Sequence, residues 1–120
     1  MSVGAVEMER QLQELGYTTE RPIPTMVAFL FKISHGRFRG KEVYIALDAQ
    51  HFPNVAPHGP YFKPQIIRES GKPHPLGGIH YQNKPSSEWE HWSRPIPNWE
   101  QTDKTMKTYL AYIRTILDFE

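Results

Sequence analysis

Large apolar residues recur at every second position through Met26 to Ser34, MVAFLFKIS, which places Val27, Phe29, Phe31 and Ile33 on one face. A period of two predicts a half-buried strand. HGRFRG supplies a turn. The same alternation returns in Lys41 to Ala49, KEVYIALDA, with Val43, Ile45 and Leu47 facing a core. FPNVAPHGP reads as a proline-rich connection, and Tyr61 to Arg68 as a third strand that Pro64 confines in part to an edge or bulge. The period changes at both ends. Met8, Leu12 and Leu15 fall at i, i+4 and i+7 within Ser2 to Leu15, which predicts an amphipathic helix stopped by Gly16. Met106, Leu110, Ile113 and Leu117 form the stripe of a last helix, from about Asp103 to Asp118, capped by Thr102 or Asp103. The order is helix, a three- or four-strand meander, a long loop, then a helix. That is an α+β sandwich, one sheet covered on one face by helices.

The stretch from Tyr61 to Trp99 breaks both periods. It holds all three tryptophans and three of the six histidines. It is too irregular for a sheet or helix, and too aromatic for a disordered linker. It reads as an ordered functional loop over a small scaffold, with Trp89, Trp92 and Trp99 as anchors.

Composition narrows the class. The 120 residues support one domain spanning 1–120, large enough to fold without disulfide or metal. A net charge of +1 gives no reason to expect a nucleic acid or membrane partner. Lys32, His35, Arg37, Arg39 and Lys41 form the only basic cluster, on the hairpin loop. The N-terminus is too polar for a signal segment and no apolar run reaches membrane-spanning length, so the expected location is cytoplasmic. Zero cysteines exclude disulfides, thiolate metal sites and thioester chemistry on this chain.

Several motifs then occur in a telling order. Phe52, Pro53, Pro57 and Pro60 form an F-P-x-x-x-P-x-x-P segment, followed by Pro64, Gln65 and Ile66. His74, Pro75 and Leu76 come next, then Gly77, Gly78, Ile79, His80 and Tyr81, and finally Trp89, Trp92, Ser93 and Arg94. This succession resembles the ubiquitin-conjugating (UBC-like) superfamily from about Met26 onward, and most of all its divergent bacterial members. The resemblance implies a UBC-like sandwich: N-terminal helix, antiparallel four-strand meander, long active-site-type flap, C-terminal helix. It also implies a place in a bacterial ubiquitin-like conjugation pathway, some of which are tied to antiviral defence. The partners it implies are a ubiquitin-like protein and its activating enzyme.

Two positions depart from the family pattern. His80 stands where the catalytic cysteine belongs, and an acyl-imidazole would hydrolyse too fast for a carrier. Leu76 stands where an asparagine would stabilise an oxyanion, and it cannot donate a hydrogen bond. The resemblance puts His80 at the mouth of a groove between flap and last helix, partly open to solvent, and makes His74 the residue that pins the loop. His74, Gly77, Gly78, Tyr81, Trp89 and Trp92 are the candidate binding residues. Ser86 and Ser87 are candidate oxyester nucleophiles with His80 as base, although no nucleophile elbow is present. His74, His80 and His91 have the right chemistry for Zn²⁺ but match no zinc signature, and His91 reads as part of a partly exposed turn. No metal and no cofactor are expected. Three readings follow: a non-catalytic binding or adaptor module, an enzyme of altered chemistry built on His80 with Ser86 or Ser87, or an unrelated α+β protein.

Overall fold

A computed structural model describes residues 3–74, 77–81 and 85–118. Helix α1 runs Val3–Glu14 and buries Gly4, Ala5, Met8 and Leu12. Leu15 does not extend this stripe and is 43% exposed. The helix closes one residue earlier, through bonds from Gly16 N–H to Gln13 O and from Tyr17 N–H to Leu12 O, with Gly16 at φ 96°. That left-handed closure turns Leu15 outward. At the other end, a Cβ on Gly4 would sit 2.0 Å from the Ala49 carbonyl oxygen, so only glycine lets α1 meet the backbone at Ala49 and Phe52.

The strands are β1 (Thr19–Glu20), β2 (Met26–Lys32), β3 (Glu42–Asp48), β4 (His58–Lys63), β5 (Ile79–His80) and β6 (Glu90–Trp92). They form one sheet in the order β1-β2-β3-β4-β6-β5, with antiparallel neighbours throughout. The strands expected from the sequence are β2, β3 and β4, whereas β1 forms in the connection after α1 where none was expected. The sheet has six strands rather than three or four because β1 adds to one edge and the flap contributes β5 and β6, so the ring-rich segment is partly regular after all.

The third strand also ends sooner than its sequence implies. β4 stops at Lys63, and a short helix α2 spans Ile66–Ser70 with Gly71 in the left-handed region at its end. Pro64 has no N–H for the ladder. Ile66 and Ile67 are both buried, which an alternating strand cannot arrange on one face.

Helix α3 (Met106–Asp118) packs its stripe of Met106, Leu110, Ile113 and Leu117 into the core with α1 and the inner face of the sheet. Val27, Phe29, Phe31, Ile33, Val43, Ile45 and Leu47 belong to that same cluster, as their spacing requires. The cap is Thr105, whose Oγ1 accepts Thr108 N–H at 3.3 Å, while Asp103 Oδ1 accepts the hydroxyls of Thr105 and Thr108. Gln11 of α1 accepts Met106 N–H at 2.7 Å and ties the two helices together. The outer sheet face has its own buried group, Met26, Ala28, Ala46, Tyr61 and Trp89.

Candidate functional site

β6 organises the region around the flap, because its three residues face alternate sides of the sheet. Glu90 and Trp92 point inward and are fully buried. The Glu90 carboxylate accepts Ile67 N–H at 2.9 Å and Trp92 Nε1–H at 2.9 Å on one oxygen. It accepts Arg68 N–H at 3.0 Å and Tyr81 O–H at 2.9 Å on the other. Four donors compensate a buried charge that would otherwise be costly. Two of them are free N–H groups at the start of α2, which is where a carboxylate is most favourable. The Arg68 guanidinium lies 3.8 Å above the Tyr81 ring. Burial, and then the bond to Glu90, push the Tyr81 phenol above its usual range.

A second latch holds the glycines. The Arg94 guanidinium is bound to His74 Nδ1 at 2.8 Å and donates to the Gly77 carbonyl. Ser93 N–H reaches the Gly78 carbonyl at 2.9 Å. A Cβ on Gly78 would stand 2.6 Å from Arg94 Nη1, and Gly78 has φ 75°. His74 is buried, with its ring edge-on to Trp92 at 5.0 Å. Burial first, and the Arg94 and Arg37 cations next, hold the His74 imidazole below its ordinary pKa.

His91 takes the outward position of β6. It is the cross-strand partner of Tyr61 on one side and of His80 on the other. Its ring stacks on Tyr61 at 4.4 Å, with the rings of His58 at 5.3 Å and His80 at 5.7 Å. Burial, then the fields of His58 and His80, push the His91 imidazole down to about 4. His91 is thus a strand residue held neutral in a row of rings, where its sequence neighbourhood suggests a partly exposed turn.

The expected site residues separate into these units. His80 is exposed, as its place in the family pattern implies. It does not open toward α3, however. Its neighbour Ile79 packs on the helix-covered core, and strand alternation sends His80 to the opposite face. His74 lies inward, so the histidine triple His74, His80 and His91 is not brought together. Among the described residues no group of three His, Cys, Asp or Glu side chains is disposed to hold a metal ion. Ser86 and Ser87 form a turn: the Ser86 carbonyl accepts Trp89 N–H, and the Ser87 carbonyl accepts Gln65 Nε2 at 2.7 Å. Among the described residues neither hydroxyl is bonded to an imidazole. Trp89, Trp92 and Trp99 are all buried, at 3%, 0% and 5% exposure. Leu76 lies outside the described residues.

A family model described as Prokaryotic E2 family E matches residues 6–120. The chain belongs to that family. It is therefore a bacterial E2-like protein related to conjugation pathways, with partners in a pathway of that kind. No curated protein and no solved structure matches it. No helix among the described residues is long and apolar enough to cross a membrane.

The sequence does not reveal what surrounds His80. Glu90, Arg94 and His58 each reach a partner 17 or more residues away in the chain, such as Arg94 to Gly77 and Glu90 to Arg68. The one local signal is the triplet Glu90-His91-Trp92. Read as a strand, it pairs two large inward groups with an outward histidine.

Proposed function

We propose that this protein is a binding or adaptor module of a bacterial ubiquitin-like conjugation pathway, acting without acyl transfer on its own chain. The observation that carries this reading is the complete absence of cysteine from a member of an E2 family. A thioester needs a thiolate, and no side chain here supplies one. The surroundings of His80 support the same reading. Among the described residues its imidazole has a ring neighbour in His91 but no carboxylate hydrogen-bonded to it, and the Ser86 hydroxyl accepts Glu88 N–H instead. The proposed contact surface for a ubiquitin-like protein or its activating enzyme is the flap with Gly77, Gly78, His80 and Tyr81, held in place by Trp89 and Trp92.

The test is incubation with an activating enzyme and a ubiquitin-like protein, with ATP. The expected outcome is saturable binding by calorimetry with no change in intact mass. His80→Ala should fold normally, because an exposed side chain supports little packing, and should weaken that binding. A covalent adduct that disappears in His80→Ala and in Ser86→Ala would overturn the reading in favour of an active enzyme with altered chemistry.

A further inference from the structure

The row of rings on the outer sheet face contains a group that packing leaves unexplained. His91 Nε2 is buried and has no hydrogen-bond partner. Buried polar atoms are almost always satisfied by protein, by water or by a bound ion. Beside it stands His80, exposed and directly opposite on the neighbouring antiparallel strand. Opposite residues on one face bring their side chains within reach of a common atom. The two ring centroids are 5.7 Å apart. Two imidazoles that share an ion at Zn–N distances of about 2.0–2.1 Å have ring centres roughly 5 Å apart in tetrahedral geometry.

We propose that His80 and His91 together bind a divalent ion of the later first-row transition metals, Zn²⁺, Ni²⁺ or Cu²⁺, on the outer face of the sheet. The donor set selects the ion: imidazole suits these metals, whereas Mg²⁺ and Ca²⁺ need oxygen ligands. Glu90, next to His91 in the chain, points to the other side of the sheet and is fully engaged. No three potential ligands converge among the described residues, so two imidazoles are the protein's share and water fills the remaining positions. The His58 ring is nearer to His91, at 5.3 Å, but it stands on β4, across β6 from His80 on β5, so it and His80 do not converge on one ion. A chelate on a two-strand hairpin would also fasten β5, the edge strand that carries His80, to β6.

The experiment uses tag-free full chain, with Zn²⁺ as the calorimetric probe and Ni²⁺ as the paramagnetic one. Expected are one binding event in the parent chain and selective broadening of the His80 and His91 imidazole resonances. His80→Gln and His91→Gln should each abolish both signals, while His58→Gln keeps them. Absence of binding overturns the proposal. So does binding undiminished in His80→Gln, which means scattered surface histidines only, and so does loss in His58→Gln. Should His91→Gln fold poorly, the exposed His80 variant carries the test alone.

Discussion

Arg94 donates to His74 Nδ1 across 2.8 Å. A guanidinium can only donate, so Nδ1 must carry a lone pair and the imidazole must be neutral with its proton on Nε2. The bond joins the start of the flap to its end, twenty residues later.

This relationship sets a pH dependence. His74 has a pKa below its ordinary value, lowered by burial and by Arg94 and Arg37, with Glu90 opposing. A depressed histidine contributes stability that is fully present above the unfolded pKa of about 6.5 and is lost as pH falls toward the folded value. The urea midpoint of the parent chain should therefore drop more steeply below about pH 6.5 than that of His74→Gln, which keeps an acceptor for Arg94 but does not titrate. Parallel curves for the two proteins would show that His74 is not the coupled group.

Glu90→Gln tests the buried carboxylate. Each Glu90 oxygen receives two donors, so the new amide must turn its NH₂ toward groups that already donate. The expected loss is about 1–3 kcal/mol in urea unfolding, the cost of leaving buried donors unpaired. Tyr81→Phe removes a single donor, and the loss there should be smaller, near 1 kcal/mol.

Trp92→Ala removes the largest fully buried side chain. Its ring packs against Phe62 at 4.5 Å and His74 at 5.0 Å, and its N–H serves Glu90. A loss of about 3–5 kcal/mol is expected, and amide exchange should accelerate first in β6 and α2. A melting midpoint equal to that of the parent chain would contradict the packing role.

Gly78→Ala and Gly77→Ala separate strain from collision. Both glycines have positive φ, 75° and 65°, so each substitution should cost about 1 kcal/mol from the backbone alone. At Gly77 a Cβ meets open space, whereas at Gly78 it would run into the Arg94 guanidinium. Gly78→Ala should be the more destabilising of the two in thermal unfolding, and combining it with Arg94→Ala should remove the difference.

Local periodicity was enough to locate the scaffold. The alternation in Met26 to Ser34 and Lys41 to Ala49, and the stripe from Met106 to Leu117, follow from a hydrophobic face that must be buried whatever the neighbours are. Short-range geometry of this kind is written in a few adjacent residues. Leu15 shows its limit, since the glycine that ends the helix also turns that side chain outward.

Other features depended on pairing between segments far apart in the chain. Ile79–His80 and Glu90–Trp92 are too short to reveal themselves as strands, and become strands only because β4 offers an edge. That pairing carries Glu90 to the start of α2, brings Arg94 to His74, and lines up His58, His91 and His80 on one face. The absence of cysteine, and with it the exclusion of a thioester, was settled by the sequence alone because it depends on no geometry. Which histidines meet was decided only by the tertiary fold, because strand register determines which side of the sheet each side chain faces.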